Sequence, residues 1–223
     1  MDLEPLYLTL KLALSTTIVL GVLGFPLALW LSKKPSWLKT IVETLITMPL
    51  VLPPTVIGFY LLIALSPNSH IGSWLNDNLG IQVVFSFGGL VVASVIYSLP
   101  FMVQPMKSGL ANLPPRLLES SLMFGKSKIQ TLFKVVLPNA HSSIITGIVL
   151  TFAHTLGEFG VVLMIGGNIP GETKVASVAI YEEVEALNYE NAHFYAITLF
   201  VISFALLLTV NVINKHKHQQ LLA

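Results

Sequence analysis

The 223-residue sequence contains no cysteine, which excludes a disulfide framework and any thiol-based metal or redox centre. Charge is scarce as well. Only 10% of the residues are Asp, Glu, Lys or Arg, against roughly 25% in an average soluble domain, whereas 54% are hydrophobic. Neither an H-E-x-x-H helix nor a G-x-S-x-G turn occurs, so the simplest zinc- and serine-hydrolase readings fall away. Gly125-Lys126-Ser127 imitates the end of a phosphate-binding loop, but Ser120 stands where that pattern requires its first glycine and no apolar strand precedes it. There is no repeat of solenoid period and no low-complexity tract. The first residues carry Asp2 and Glu4 where a cleavable signal peptide carries basic residues, so the first apolar run is expected to be retained.

What the sequence does contain is long apolar runs. A helix needs about 20 mostly apolar residues to cross the ~30 Å hydrocarbon core. Five segments qualify, at about 6–31, 44–65, 83–103, 143–165 and 194–213. Five such helices in one chain leave no polar shell to cover them, and the expectation is a single all-α integral membrane unit over 1–223 in contact with lipid. Ten of the twelve Lys and Arg residues fall in alternate connections: Lys33, Lys34 and Lys39; then Lys107, Arg116, Lys126, Lys128 and Lys134; then Lys215 and Lys217 in the tail. Basic short loops stay cytoplasmic, which predicts an amino terminus outside and a carboxyl terminus inside. Lys11 snorkels from the outer end of span one. Prolines 26, 49, 53, 54, 100 and 105 lie in or beside the spans, where each removes a backbone donor and bends its helix.

The third connection, 114–138, is more than a linker. Pro114 and Pro115 stand at the start of a short helix, and Glu119 falls in its early turns, where the helix dipole favours an anion. Gly125 permits the left-handed turn that ends it. The helix presents Leu117, Leu118, Leu122 and Phe124 among charges, a surface suited to docking. In this stretch the sequence resembles the permease subunits of ABC importers, whose loop reads Glu-Ala-Ala, three residues, Gly, nine residues, Ile, any residue, Leu-Pro. Glu119, Gly125, Leu137 and Pro138 keep that register. Val135 replaces the Ile, and Ser120 and Ser121 replace the alanines. The resemblance implies a type I importer permease fold. The loop would be a coupling helix that inserts into an ATPase subunit, with Leu117 on its apolar surface and Arg116 as either an ATPase contact or a topology determinant.

Three further stretches resemble molybdate permeases in particular: Met48 to Gly58, Leu156-Gly157-Glu158-Phe159-Gly160, and Gly167 to Thr173. Tungstate and sulfate permeases are close relatives, and a secondary transporter remains the distant alternative. The resemblance implies a homodimer with the pathway at its twofold axis, two ATPase subunits that bind ATP and Mg, and a periplasmic binding protein, all at a bacterial inner membrane. This chain is then expected to be non-catalytic, to hold no cofactor or metal and to have no nucleic-acid partner. Pro53, Pro54, Thr55, Gly157, Glu158 and Gly160 are the candidate pathway and gate residues. His154 precedes Glu158 by one helical turn, so the two are expected to share a helix face. Glu158 itself is read as hydrogen-bonded to the backbone around Gly157 and Gly160. Between spans four and five, Val175, Val178, Tyr181, Val184 and Leu187 recur at helical spacing with Glu182, Glu183 and Glu185 between them, predicting an interfacial or re-entrant amphipathic helix.

Overall fold

A computed structural model of the chain describes residues 2–220, and among them every regular element is helical. Helix α1 (Glu4–Leu31) starts with Pro5 in its first turn, where a missing N–H costs nothing. Its buried stripe of Leu8, Leu12, Ala13, Thr16, Leu20, Gly24 and Ala28 follows the helical period. The opposite face, Tyr7, Leu10, Leu14, Ile18 and Val22, is equally apolar and exposed. A helix that is apolar all round and open on one side is solvated by lipid.

The expected second span is not one rod. Helix α2 (Trp37–Thr47), capped by Ser36, continues into a single 3-10 turn at Met48–Leu50. After a break of three residues, α3 (Pro54–Leu65) sets off at 112° to it. Pro49, Pro53 and Pro54 cause the break, because three missing backbone donors within six residues leave the helical ladder nothing to propagate on. A short amphipathic helix absent from the sequence expectation, α4 (His70–Leu79), follows. The hydroxyl of Ser69 accepts from the Gly72 N–H at 2.9 Å to start it, and left-handed Gly80 ends it.

The central helix is α5 (Phe87–Ala111), eight residues longer than expected at its C-terminal end despite Pro100 and Pro105. It packs on α1 and on the two pieces of the next span. That span also differs from expectation. Beyond α6 (Pro115–Met123), a 29-residue helical stretch runs from Lys128 to Leu156. It comprises α7 (Lys128–Thr131), a π-helical turn at Leu132–Val136 and α8 (Leu137–Leu156). The helix stops at Gly157, and the short α9 (Gly160–Gly166) completes the stretch predicted as 143–165. Then come α10 (Ala176–Glu185) and α11 (Tyr189–Gln220). Among the described residues four helices are long and apolar enough to span a membrane, or five if the bent α2–α3 pair is counted as one span.

The core has a cluster at the basic end, where Leu31, Ile46, Met106, Leu110, Val136 and Ala140 meet, one at the acidic end, where Leu8, Leu12, Leu90, Val162, Val175 and Val178 meet, and a smaller one of Ala93, Val161 and Ile165. Thr9, Thr16, Ser94, Ser98, Thr151 and Thr155 are buried between helices, as small polar residues are where membrane helices approach closely. Glu43 of α2 pairs with Lys107 of α5 at the basic end. The side chains of Lys215 and Lys217, and that of Leu122, lie outside the described residues.

Candidate functional site

The two helix breaks meet. Pro54 and Thr55 at the start of α3 face Gly160 at the start of α9, so closely that a Cβ on Gly160 would sit 2.9 Å from the Pro54 Cβ. One turn further on, a Cβ on Gly58 would lie 2.8 Å from the Met164 Cβ. Only glycines at both positions let α3 and α9 come this near. Beside the contact is a cavity of about 500 Å³ lined by Pro54, Thr55, Tyr97, Ala153, His154, Gly157, Glu158, Phe159 and Gly160. Five of the six residues expected in the pathway therefore share one cavity; Pro53, which caps α3, stands next to it without lining it.

Two expectations about this site fail. His154 and Glu158 do not pair on a helix face, because α8 ends at Leu156; they reach the same cavity from either side of the break. Nor does Glu158 hydrogen-bond to the backbone around Gly157 and Gly160. It is buried with no hydrogen bond to those backbone groups among the described residues, and the Ser94 hydroxyl of α5 is the polar group beside its carboxyl. A buried carboxyl at membrane depth is expensive, and membrane proteins place such groups where they serve function. Its main-chain carbonyl is engaged instead, accepting from Ser177 Oγ of α10 at 2.6 Å.

His154 is held from α5. Its Nδ1 lies 2.9 Å from Ser98 Oγ, and its ring stacks on Phe101 with centroids 3.9 Å apart. Ser98 also meets Thr155 Oγ1 at 3.1 Å, which in turn donates to the Thr151 carbonyl at 3.0 Å. Tyr97, Ser98 and Ser177 escaped the sequence reading. Only their separation by whole helices, not any local motif, brings them here.

The loop beyond α9 is clamped by Thr173, whose hydroxyl donates to the Gly166 carbonyl at 2.7 Å and accepts from the Ile169 N–H at 2.9 Å. Helix α10 is capped from a distance: Thr9 Oγ1 of α1 accepts from the Ala176 N–H at 2.7 Å while donating to the Pro5 carbonyl. Of the predicted apolar stripe, Val175 and Val178 are buried, whereas Tyr181, Val184 and Leu187 are exposed. Lys174, and then Asn168, hold the Glu182 carboxyl below the usual carboxylate range.

At the basic end, α6 ends as predicted. Gly125 has φ +72°, and the Lys126 N–H reaches back to the Ser121 carbonyl at 3.2 Å, the bond that closes a Schellman turn. Ser127 then caps α7 through a reciprocal capping box with Gln130, which accounts for the Gly-Lys-Ser tripeptide without any nucleotide. The two serines that replace alanines differ in role. Ser120 Oγ donates to the Arg116 carbonyl at 2.6 Å on the exposed face, whereas Ser121 is buried against Thr131 with their hydroxyls 2.8 Å apart. Glu119 stands in the second turn of α6, beyond the first turn where the dipole acts, and is exposed. Arg116 and Leu117 are exposed too, while Leu118 packs inward. Met123, Phe124, Ile129 and Phe133 extend the exposed apolar surface. Val135 lies in the π-helical turn; Leu137 and Pro138 open α8.

A helical membrane core with two broken spans meeting at a cavity, and a helix-turn-helix loop projecting from its basic end, defines a transport-type membrane subunit. Residues 22–220 match the family described as binding-protein-dependent transport system inner membrane component, and the chain belongs to that family. It is 47% identical to the molybdenum transport system permease protein ModB of Azotobacter vinelandii, over 92% of this chain and 91% of that one. It is 32% identical to the sulfate transport system permease protein CysT of Escherichia coli, over 92% of this chain and 74% of that one. Among solved structures, the inward-facing MetNI methionine ABC transporter is similar in fold, with a TM-score of 0.72 over 96% of this chain and 94% of that one at 16% identity. A bacterial alginate importer has a TM-score of 0.71 at 18% identity, over 97% of this chain and 80% of that one.

Proposed function

We propose that this chain is the molybdate-translocating permease of an ATP-driven importer. The observation that carries the reading is the 47% identity to a molybdenum permease over nine-tenths of both chains, against 32% for the sulfate permease. In this reading two copies form the pathway at a twofold axis, and α6 docks on each of two ATPase subunits, which hydrolyse ATP with Mg. A periplasmic binding protein delivers the anion at the acidic end. The basic end, with α6 and the C-terminus of α11, faces the cytoplasm, in keeping with the lysine distribution. The exposed Leu117, Met123 and Phe124 on and after α6, next to the left-handed Gly125 turn, support a docking role. The α3–α9 contact is the gate: Pro54 and Thr55 move against Gly160 as the ATPases close, and the adjoining cavity opens toward the pathway. Chemical selectivity for a dianion rests largely with the binding protein, because no cluster of Lys or Arg lines the break cavity.

The test is ATP-dependent uptake of molybdate into vesicles that contain this chain with its ATPase and binding protein, with tungstate and sulfate as competitors. The expected result is uptake blocked by tungstate and untouched by sulfate. Block by sulfate would reassign the chain to the sulfate permeases, and uptake without the ATPase would refute ATP-driven import. A Pro54→Ala, Thr55→Val double variant is expected to assemble normally and lose uptake; normal uptake would remove these residues from the gate.

A further inference from the structure

An apolar concavity lies away from the break cavity. It is a groove of about 640 Å³ on the lipid-exposed side, between α1 and the segment leading into α8, floored by Met106. Leu14, Ile18 and Pro26 form one wall and Ile144 and Ile148 the other. A Cβ placed on Gly21, midway along the α1 wall, would meet nothing within 4 Å. From Leu14 to Pro26 a helix rises about 18 Å, close to one leaflet of the ~30 Å hydrocarbon core.

A second cavity of about 370 Å³ shares Leu132 with the groove as a lining residue. Here the lining changes character, because Lys33 and Lys128 join Leu29 and Leu118. Lys33 follows the end of α1 at Leu31, so it stands where that helix leaves the hydrocarbon. Neither ammonium has an ion-pair or hydrogen-bond partner among the described residues. An apolar groove about one leaflet long, with two unpaired cations lining the cavity next to it, suits the shape and charge of a single lipid.

We propose that the groove and the cavity together bind one anionic phospholipid, an acyl chain lying along α1 and the phosphate between Lys33 and Lys128. Basic pockets between membrane helices hold anionic headgroups by this combination of tail burial and charge. An apolar helix from a second copy would fill the groove but leave both ammonium groups unpaired. A zwitterionic lipid would carry no net charge to meet them. The consequence is local. The headgroup touches α1 through Lys33 and the coupling region through Leu118 and Lys128, so the lipid ties the loop to the spans.

The test uses the full chain in nanodiscs of phosphatidylcholine mixed with phosphatidylglycerol, with retained lipid measured by native mass spectrometry. The expected result is preferential retention of phosphatidylglycerol. A Lys33→Gln, Lys128→Gln double variant is expected to weaken that retention about thirtyfold, from two surface lysines acting on one headgroup. Gly21→Phe, which fills the groove, is expected to abolish retention of either lipid with helical content unchanged. If Gly21→Phe fails to fold, the double lysine variant alone decides. Equal retention of the two lipids, or phosphatidylglycerol retention unchanged in the lysine variant, overturns the proposal. So does disulfide linkage between two copies through cysteines introduced at Val22 and Ile148, which would place a second chain in the groove. None of these readouts depends on which anion is carried.

Discussion

Gly125 and Ser121 shape the proposed coupling loop through different physics. Gly125 has open space around it, so its identity is set by backbone conformation alone. Gly125→Val is therefore expected to cost about 1–2 kcal/mol of local stability through left-handed strain and to uncouple ATP hydrolysis from uptake. Gly125→Asn, which tolerates that conformation, is expected to retain most of the coupling. Measuring ATPase activity and uptake in the same vesicles checks both. Ser121, by contrast, is held by a partner. Ser121→Ala leaves the buried Thr131 hydroxyl unpaired at a cost of about 1–3 kcal/mol, and Thr131→Val does the converse. The double variant, with both hydroxyls gone, is expected to return near the parent thermal midpoint. Additive losses in that cycle would show that the two hydroxyls do not interact.

At the scale of elements, the breaks carry the architecture. Runs of apolar residues announced spans at 44–65 and 143–165, but hydropathy does not register direction, and both turned out to be two helices apiece. The prolines at 49, 53 and 54 were a legible cause of the first break. The second rests on Gly157 and Gly160 and is stabilised from outside by Ser177, a tie no local pattern could reveal. The α3–α9 contact gives a direct prediction. Gly160→Val inserts atoms where a Cβ alone already lies 2.9 Å from Pro54, and is expected to cost about 1–3 kcal/mol by overpacking. Uptake should fall at least in proportion while membrane insertion, followed by fractionation, is unchanged. Wild-type uptake in this variant would mean that α3 and α9 part without consequence.

For the whole molecule, the orientation proposed from the lysine distribution is directly measurable, because the sequence has no cysteine. Single cysteines introduced as Glu119→Cys on α6 and Glu185→Cys on α10 are both at exposed positions. With a membrane-impermeant thiol reagent, Glu185→Cys is expected to label in intact spheroplasts and Glu119→Cys only after the membrane is opened. The reverse pattern would invert the topology proposed from the lysines.

Sequence alone determined that the chain is a membrane protein, which segments are apolar enough to span, and where the proposed coupling loop lies. These properties are sums over contiguous residues or fixed local spacings, such as Glu119 to Gly125 to Pro138. The same holds for the Gly125 turn, because a left-handed residue is a local requirement. Tertiary structure alone decided that Pro54, Thr55, His154 and Glu158 line one cavity, that Thr9 caps α10, and that Lys33 and Lys128 converge. Those pairings join residues far apart in the chain. Which helices come together depends on shape and packing between their buried faces, and no single segment contains that information.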